Sequence, residues 1–148
     1  DVFVRAGVET HVCSNVDSLI WTKLMANVGI NALAAITKLK NGELLEYPET
    51  LSLQTAAVAE GAAVAKAKGI SFLAEDILEY VRGVARATHG NKASMLQDVE
   101  RGVRTEVLAI NGAIVAEGRK LGVPTPVNET LTGLVLTLEK KGNSKLRR

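Results

Sequence analysis

"IWTKLMANVGINALAA", residues Ile20–Ala35, decides the fold. It is rich in Leu, Ile, Val, Met and Ala, yet Lys23, Asn27 and Asn31 recur through it at intervals of four. Each step of four advances about 40° around a helix, so the three side chains form one narrow polar line over roughly 12 Å of axis. Asn is a poor residue for a helix interior, because its amide competes for backbone groups. Burying an amide without partners costs on the order of 1–3 kcal/mol, and an unpaired ammonium costs more. The line therefore predicts solvent along that face or a polar ligand. Gly29 costs up to ~1 kcal/mol relative to Ala in a helix, which reads either as a close approach or as a tolerated defect.

Outward from this stretch the helical signal continues. "SNVDS" supplies capping residues for a long helix from about Asp17 to Thr37. "KNGELLEYPET" reads as a connector, with Pro48 suited to a first helical turn. The Ala-rich run that follows stops at Gly69, a C′ glycine by pattern. A helix is expected after Ser71 as N-cap, a short one after Ser94 as N-cap, one through "TEVLAINGAIVAEGRKLG" to Gly122, and a last one capped by Asn128. "VETHVC" alternates like a short strand. Six or so helices with broad apolar stripes make the fold class all-α, a compact bundle and not a coiled coil.

Composition narrows the function. The 148 residues fit one domain, and 47% hydrophobic with 23% charged residues are ordinary globular values. A net charge of +2, concentrated in the tail "KKGNSKLRR", and 3% aromatic residues argue against nucleic acid as a partner. No run is read as the ~18 apolar residues of a membrane helix. One cysteine, Cys13, cannot close an internal disulfide, and His11 and His89 form no metal-ligating pattern, so no metal is expected. A reducing cytoplasm fits best.

Two further places carry candidate chemistry. In "SMLQDVERG", Ser94 would set a hydroxyl and free N–H groups at a helix start, a favourable place for an anion or simply a cap. Glu106 lies near the next helix start, where a carboxylate is favoured in any case. Asn111-Gly112 sits within an apolar pattern and is another buried-amide candidate.

In order along the chain, "W-x-K-L-x-x-N-x-x-x-N-A-L", "N-G-E-L", "S-M-L-Q-D-V", "T-E-V-x-x-I-N-G-x-I-V" and "P-T-P-V-N" resemble the C-terminal domain of ketopantoate reductase (2-dehydropantoate 2-reductase), from about Val2 to Glu139. The resemblance implies a helical domain of the 6-phosphogluconate-dehydrogenase C-terminal type, partnered by an N-terminal Rossmann domain across the active-site cleft. It implies hydride transfer from NADPH to the keto carbon of 2-dehydropantoate, giving pantoate for pantothenate and coenzyme A synthesis. By position, Lys23 matches the lysine that protonates the developing alkoxide. Asn27, Asn31 and Asn41 match substrate-contacting asparagines, Ser94 a serine holding the substrate's polar end, and Glu106 a glutamate at the cofactor and substrate edge.

Those residue types suit the chemistry. An ammonium stabilises negative charge growing on oxygen and can give up a proton, more readily if partly buried. Asn side chains each offer a donor and an acceptor. Two departures stand beside the match. Leu108 occupies a position where the family commonly has an acid, which keeps another 2-oxo acid open as substrate. No G-x-G-x-x-G occurs, so residues 1–148 read as the C-terminal domain alone, with the dinucleotide-binding half absent and turnover by the isolated chain not expected. The alternative of another class is a non-catalytic helical interaction module, and a homodimer is left open.

Overall fold

The computed structural model describes residues 15–145, with side chains to Gly142. The "VETHVC" strand, His11 and Cys13 lie outside the described residues. Among the described residues six α-helices follow one another: α1 Val16–Thr37, α2 Pro48–Ala67, α3 Ile77–Ala87, α4 Ser94–Arg101, α5 Asn111–Leu121 and α6 Pro126–Lys145. Two 3₁₀ turns, Glu43–Leu45 and Val107–Ala109, sit in the connectors, and no strand occurs among the described residues.

The all-α bundle is arranged around α1, which packs against α2, α3, α4 and α6. Its start follows from Asn15, whose Oδ1 accepts the Ser18 N–H. Its end is a left-handed turn at Lys38 (φ 64°), whose N–H closes on the Ala34 carbonyl. By length and composition α1 would also cross a membrane, contrary to the sequence expectation, but most of it is buried inside the bundle. Met25, Val28, Leu33 and Ala34 on α1 are at most 1% exposed and meet Val58, Val64, Val81, Leu96 and Ile114 from the surrounding helices. Each of these side chains larger than alanine contributes roughly 1.5–3 kcal/mol on burial.

Gly29 is a close approach. A Cβ there would lie 2.7 Å from Val81 Cγ1 and 3.0 Å from Val58 Cγ2. Both valines are buried and β-branched, so neither can swing away.

Several helix boundaries differ from the sequence expectation. The third helix starts at Ile77, not after Ser71, because Asp76 caps it by accepting the Glu79 N–H. Ser94 is the first residue of α4 and Ala93 the N-cap, with no side-chain cap bond. The helix expected through residues 105–121 is split: a 3₁₀ turn, then a break at Ile110 (φ −108°, ψ −93°), then α5. Asn128 lies within the first turn of α6 and does not cap it. The Glu60 carboxylate from α2 does so, accepting the Val127 and Asn128 N–H groups at 2.8 and 2.9 Å.

The surface adds ion pairs. Glu117 on α5 accepts from Lys120 and from Lys68 at the end of α2. Those hydrogen bonds, Lys120's first, hold its pKa at about 2 instead of 4.5.

Gly29→Ala gains up to ~1 kcal/mol of helix propensity but overpacks the α1–α2–α3 contact at a cost of about 1–3 kcal/mol. A net loss of stability is expected in urea titrations, and a gain would refute the close approach. A depressed carboxylate contributes stability that is full above its unfolded pKa and lost as pH falls through its folded one. The melting-temperature gap between wild type and Glu117→Gln should therefore be largest above about pH 4.5 and shrink towards about pH 2. A gap independent of pH over that window would show that Lys68 and Lys120 are not its source.

Candidate functional site

The polar line of α1 opens on a cleft of about 660 Å³, within the range of small-molecule sites. Lys23 and Asn27 line it together with Leu19, Thr22 and Ala26 of α1, Leu73 and Ala74 of the α2–α3 connector, and Tyr80 and Val84 of α3. Lys23 is exposed, so the partial burial expected of it is not supplied by this domain. Its ammonium has no ion pair among the described residues. Asn27 is half-buried. Asn31, one turn further, is buried to 7% exposure; its amide has no protein partner and keeps an edge on solvent. Solvent access thus falls along the line from Lys23 to Asn31, and none of the three side chains has a polar partner among the described residues.

Three hydrogen bonds fix the direction of α3 relative to α1. Near the start of α1, the Thr22 hydroxyl accepts the Leu73 N–H at 2.9 Å. Beyond the end of α1, Asn41 Nδ2 donates to Thr88 Oγ1 at 2.9 Å, and the Asn41 N–H donates to the Asn91 carbonyl at 3.0 Å. The two helices therefore run side by side in the same direction. Residues Tyr80, Val84 and Thr88 follow one another at helical spacing along this flank.

The structure brings the expected site residues together unevenly. Lys23 and Asn27 share the cleft, and Asn31 continues their line. Asn41 is buried and pinned to the segment after α3, with its Oδ1 sealed and without a partner. Ser94 follows Asn91 by three residues, and its hydroxyl is exposed and unpaired at the start of α4. Glu106 is exposed before the second 3₁₀ turn, and no contact ties it to Lys23. Leu108 beside it is 50% exposed. No cluster of His, Cys, Asp or Glu suited to a metal occurs among the described residues.

Residues 15–139 match the family described as ketopantoate reductase PanE/ApbA C terminal. The chain belongs to that family. It is 39% identical to the 2-dehydropantoate 2-reductase of Halobacterium salinarum over 95% of its own length and 46% of that protein. The chain spans about half the length of the curated relatives it matches. A PanE/ApbA family ketopantoate reductase from Ralstonia eutropha JMP134 superposes with a TM-score of 0.90 at 35% identity, over 96% of this chain and 47% of that one. D-mandelate dehydrogenase, solved with NADH and anilino(oxo)acetate, superposes at 0.85 and 29% identity, over 95% of this chain and 46% of that one.

Within this family domain, three buried amides hold the line in place. Gln54 Nε2 donates to the Gly29 carbonyl at 3.2 Å, and Asn111 Nδ2 donates to the Val28 carbonyl at 3.2 Å. These consecutive carbonyls lie between Asn27 and Asn31. Asn111 also donates to Asn128 Oδ1, and Asn128 Nδ2 reaches the Ala57 carbonyl and Glu60. Gln54, Asn111 and Asn128 are all 0% exposed. The "ING" pattern marked Asn111 as buried, but nothing local to "LSLQT" marks Gln54, whose partner is 25 residues away.

Asn111→Ala strands the Asn128 carbonyl oxygen and removes the Val28 contact. A loss of about 2 kcal/mol is expected, the scale for leaving buried groups unpaired, and denaturant unfolding checks it. A loss below ~0.5 kcal/mol would show the network to be dispensable.

Proposed function

We propose that this chain is the substrate-binding and catalytic half of an NADPH-dependent 2-dehydropantoate 2-reductase, reducing ketopantoate to pantoate for pantothenate and coenzyme A synthesis in the cytoplasm. The observation that carries the reading is the unpaired Lys23 ammonium beside Asn27 in one cleft, on a helix otherwise committed to the core. A core helix that keeps three unpaired polar groups in line has a ligand to meet.

In this mechanism hydride reaches the keto carbon and negative charge builds on its oxygen. Lys23 stabilises that charge and transfers its proton there. Asn27 and Asn31 orient the carbonyl and the neighbouring oxygens through paired donors and acceptors. Ser94 holds the polar end of the substrate, Asn41 acts there through Thr88 and the Asn91 carbonyl by positioning the segment that leads to Ser94, and Glu106 faces the cofactor edge. NADPH is bound mainly by an N-terminal Rossmann domain that supplies the other wall of the cleft, in keeping with relatives about twice this length. The hydride chemistry calls for no metal. A homodimer is compatible with the exposed apolar side chains that α1 and α6 retain, such as Ile20 and Leu134.

A second reading keeps the scaffold and changes the substrate to another 2-oxo acid. Leu108 favours it, as does the likeness to D-mandelate dehydrogenase.

The test is NADPH oxidation with 2-dehydropantoate by a full-length reductase carrying this domain, with the isolated chain as an inactive control. Lys23→Ala should lower kcat by about 10²-fold or more while the protein stays folded. Full activity in that variant would reduce α1 to a structural helix, and turnover by the isolated chain would overturn the two-domain reading.

A further inference from the structure

The turn after α1 is seated on the backbone beyond α3, and one missing side chain decides how closely. Gly42 is buried, with φ −75° and ψ −31°, a conformation open to any residue. Its lack of a side chain is therefore a matter of space. A Cβ there would lie 2.1 Å from His89 Cδ2 and 2.7 Å from His89 Cα. The imidazole is exposed and could swing aside, since its contact with Glu46 at 3.2 Å is a weak surface pair. The Cα could not. Three hydrogen bonds close the seat at this spacing. The Asn41 N–H donates to the Asn91 carbonyl at 3.0 Å, the Gly42 N–H to the His89 carbonyl at 3.2 Å, and Asn41 Nδ2 to Thr88 Oγ1 at 2.9 Å. The Asn91 N–H turns back on the Thr88 carbonyl at 2.9 Å, and Ala93, 5% exposed, anchors the chain just before Ser94. The stretch from Thr88 to Ser94 is thus carried on the turn after α1.

We infer that Gly42 is a positioning residue for the substrate site: it lets residues 41 and 42 seat on Thr88–Asn91 at backbone distance and so sets Ser94 against the polar line of α1. The inference rests on the reductase reading, in which Ser94 holds the substrate's polar end. Lys23 stands outside the reach of this seat. From Lys23 to Thr37 the helix runs about 21 Å along its axis, and the contacts at Val28 and Gly29 fix that part of α1 separately. Displacing the seat should therefore weaken substrate binding and spare proton transfer. A change that only loosened the fold would not divide the two.

The experiment is steady-state kinetics with NADPH and 2-dehydropantoate in a full-length reductase carrying this domain. Gly42→Ala should raise KM by about 10-fold, the scale of one charge-assisted hydrogen bond to the substrate, and leave kcat within about 3-fold. Ser94→Ala should raise KM comparably. In the double variant the two effects should not multiply, because a displaced Ser94 has no contact left to lose. His89→Ala, which removes the ring and keeps the Cα, should stay within about 3-fold of wild type in both constants. Thr88→Val, which keeps the shape and removes the acceptor of Asn41, should raise KM without lowering kcat, and it carries the test if Gly42→Ala does not fold. A wild-type KM in the folded variants, KM effects that multiply with Ser94→Ala, or a fall in kcat as large as the rise in KM would overturn the positioning role and leave the reductase reading intact. Wild-type enzyme that does not reduce 2-dehydropantoate would overturn that reading as well.

Discussion

Everything at the candidate site depends on how tightly the middle of α1 is gripped. At Val28 and Gly29 the helix meets Val58 from α2, Val81 from α3, and the amides of Gln54 and Asn111. The missing side chain at Gly29 lets two β-branched residues reach the helix backbone, and the two amides bind consecutive carbonyls. Van der Waals contact fixes the depth of α1, and directional hydrogen bonds fix its rotation. A rotation of α1 by tens of degrees would swing Lys23 and Asn27 out of their cleft. The burial that holds the fold together thus also aims the polar line, and this is why an apolar helix can carry three unpaired polar groups.

The amide network extends that constraint across the bundle. Asn111 joins α5 to α1, Asn128 joins α6 to α2, and Glu60 closes the start of α6. A buried polar network is stabilising only when nearly every member is satisfied, and it then specifies one arrangement. Here Asn111 and Gln54 each leave one oxygen sealed without a partner. Both donate their N–H groups to α1 all the same, so the positioning of that helix is bound up with an incomplete satisfaction at its contacts.

The all-α class, the six helices and the Lys23–Asn27–Asn31 line were legible in the sequence because all three are periodic signals within one element. Gly69 and Pro48 followed for the same reason: each is a local conformational preference, and the structure places Gly69 at φ 72° and Pro48 at the first turn of α2. The misplaced boundaries have a common physical cause. Ser71, Ser94 and Asn128 are all good caps by residue type, yet at each site a cap is only one of several ways to satisfy free N–H groups. At α6 the partner came from Glu60, 68 residues away. The break at Ile110 was hidden because apolar spacing runs on through it. The cleft itself was legible on one side only. Its Lys and Asn lie in one helix, whereas Leu73, Tyr80 and Val84 join them through tertiary packing that no spacing reveals.

The exposure of Lys23 carries a further consequence. An ammonium in water stabilises a developing alkoxide weakly, because the solvent screens it; in a closed site of low effective dielectric the same charge acts several times more strongly. This domain provides the charge, its aim and one apolar wall, but leaves Lys23 open to water. For the proposed chemistry the opposite wall must arrive from another body, and the cofactor that delivers hydride would do so as it binds, excluding water from the face of α1 it covers. The division of labour is then physical as well as topological. On the proposed reading, the helical domain holds a solvated half-site, and closure against a nucleotide-bearing half would convert an exposed lysine into an effective acid. An exposed Lys23 is what a half-site of this kind should show before it closes.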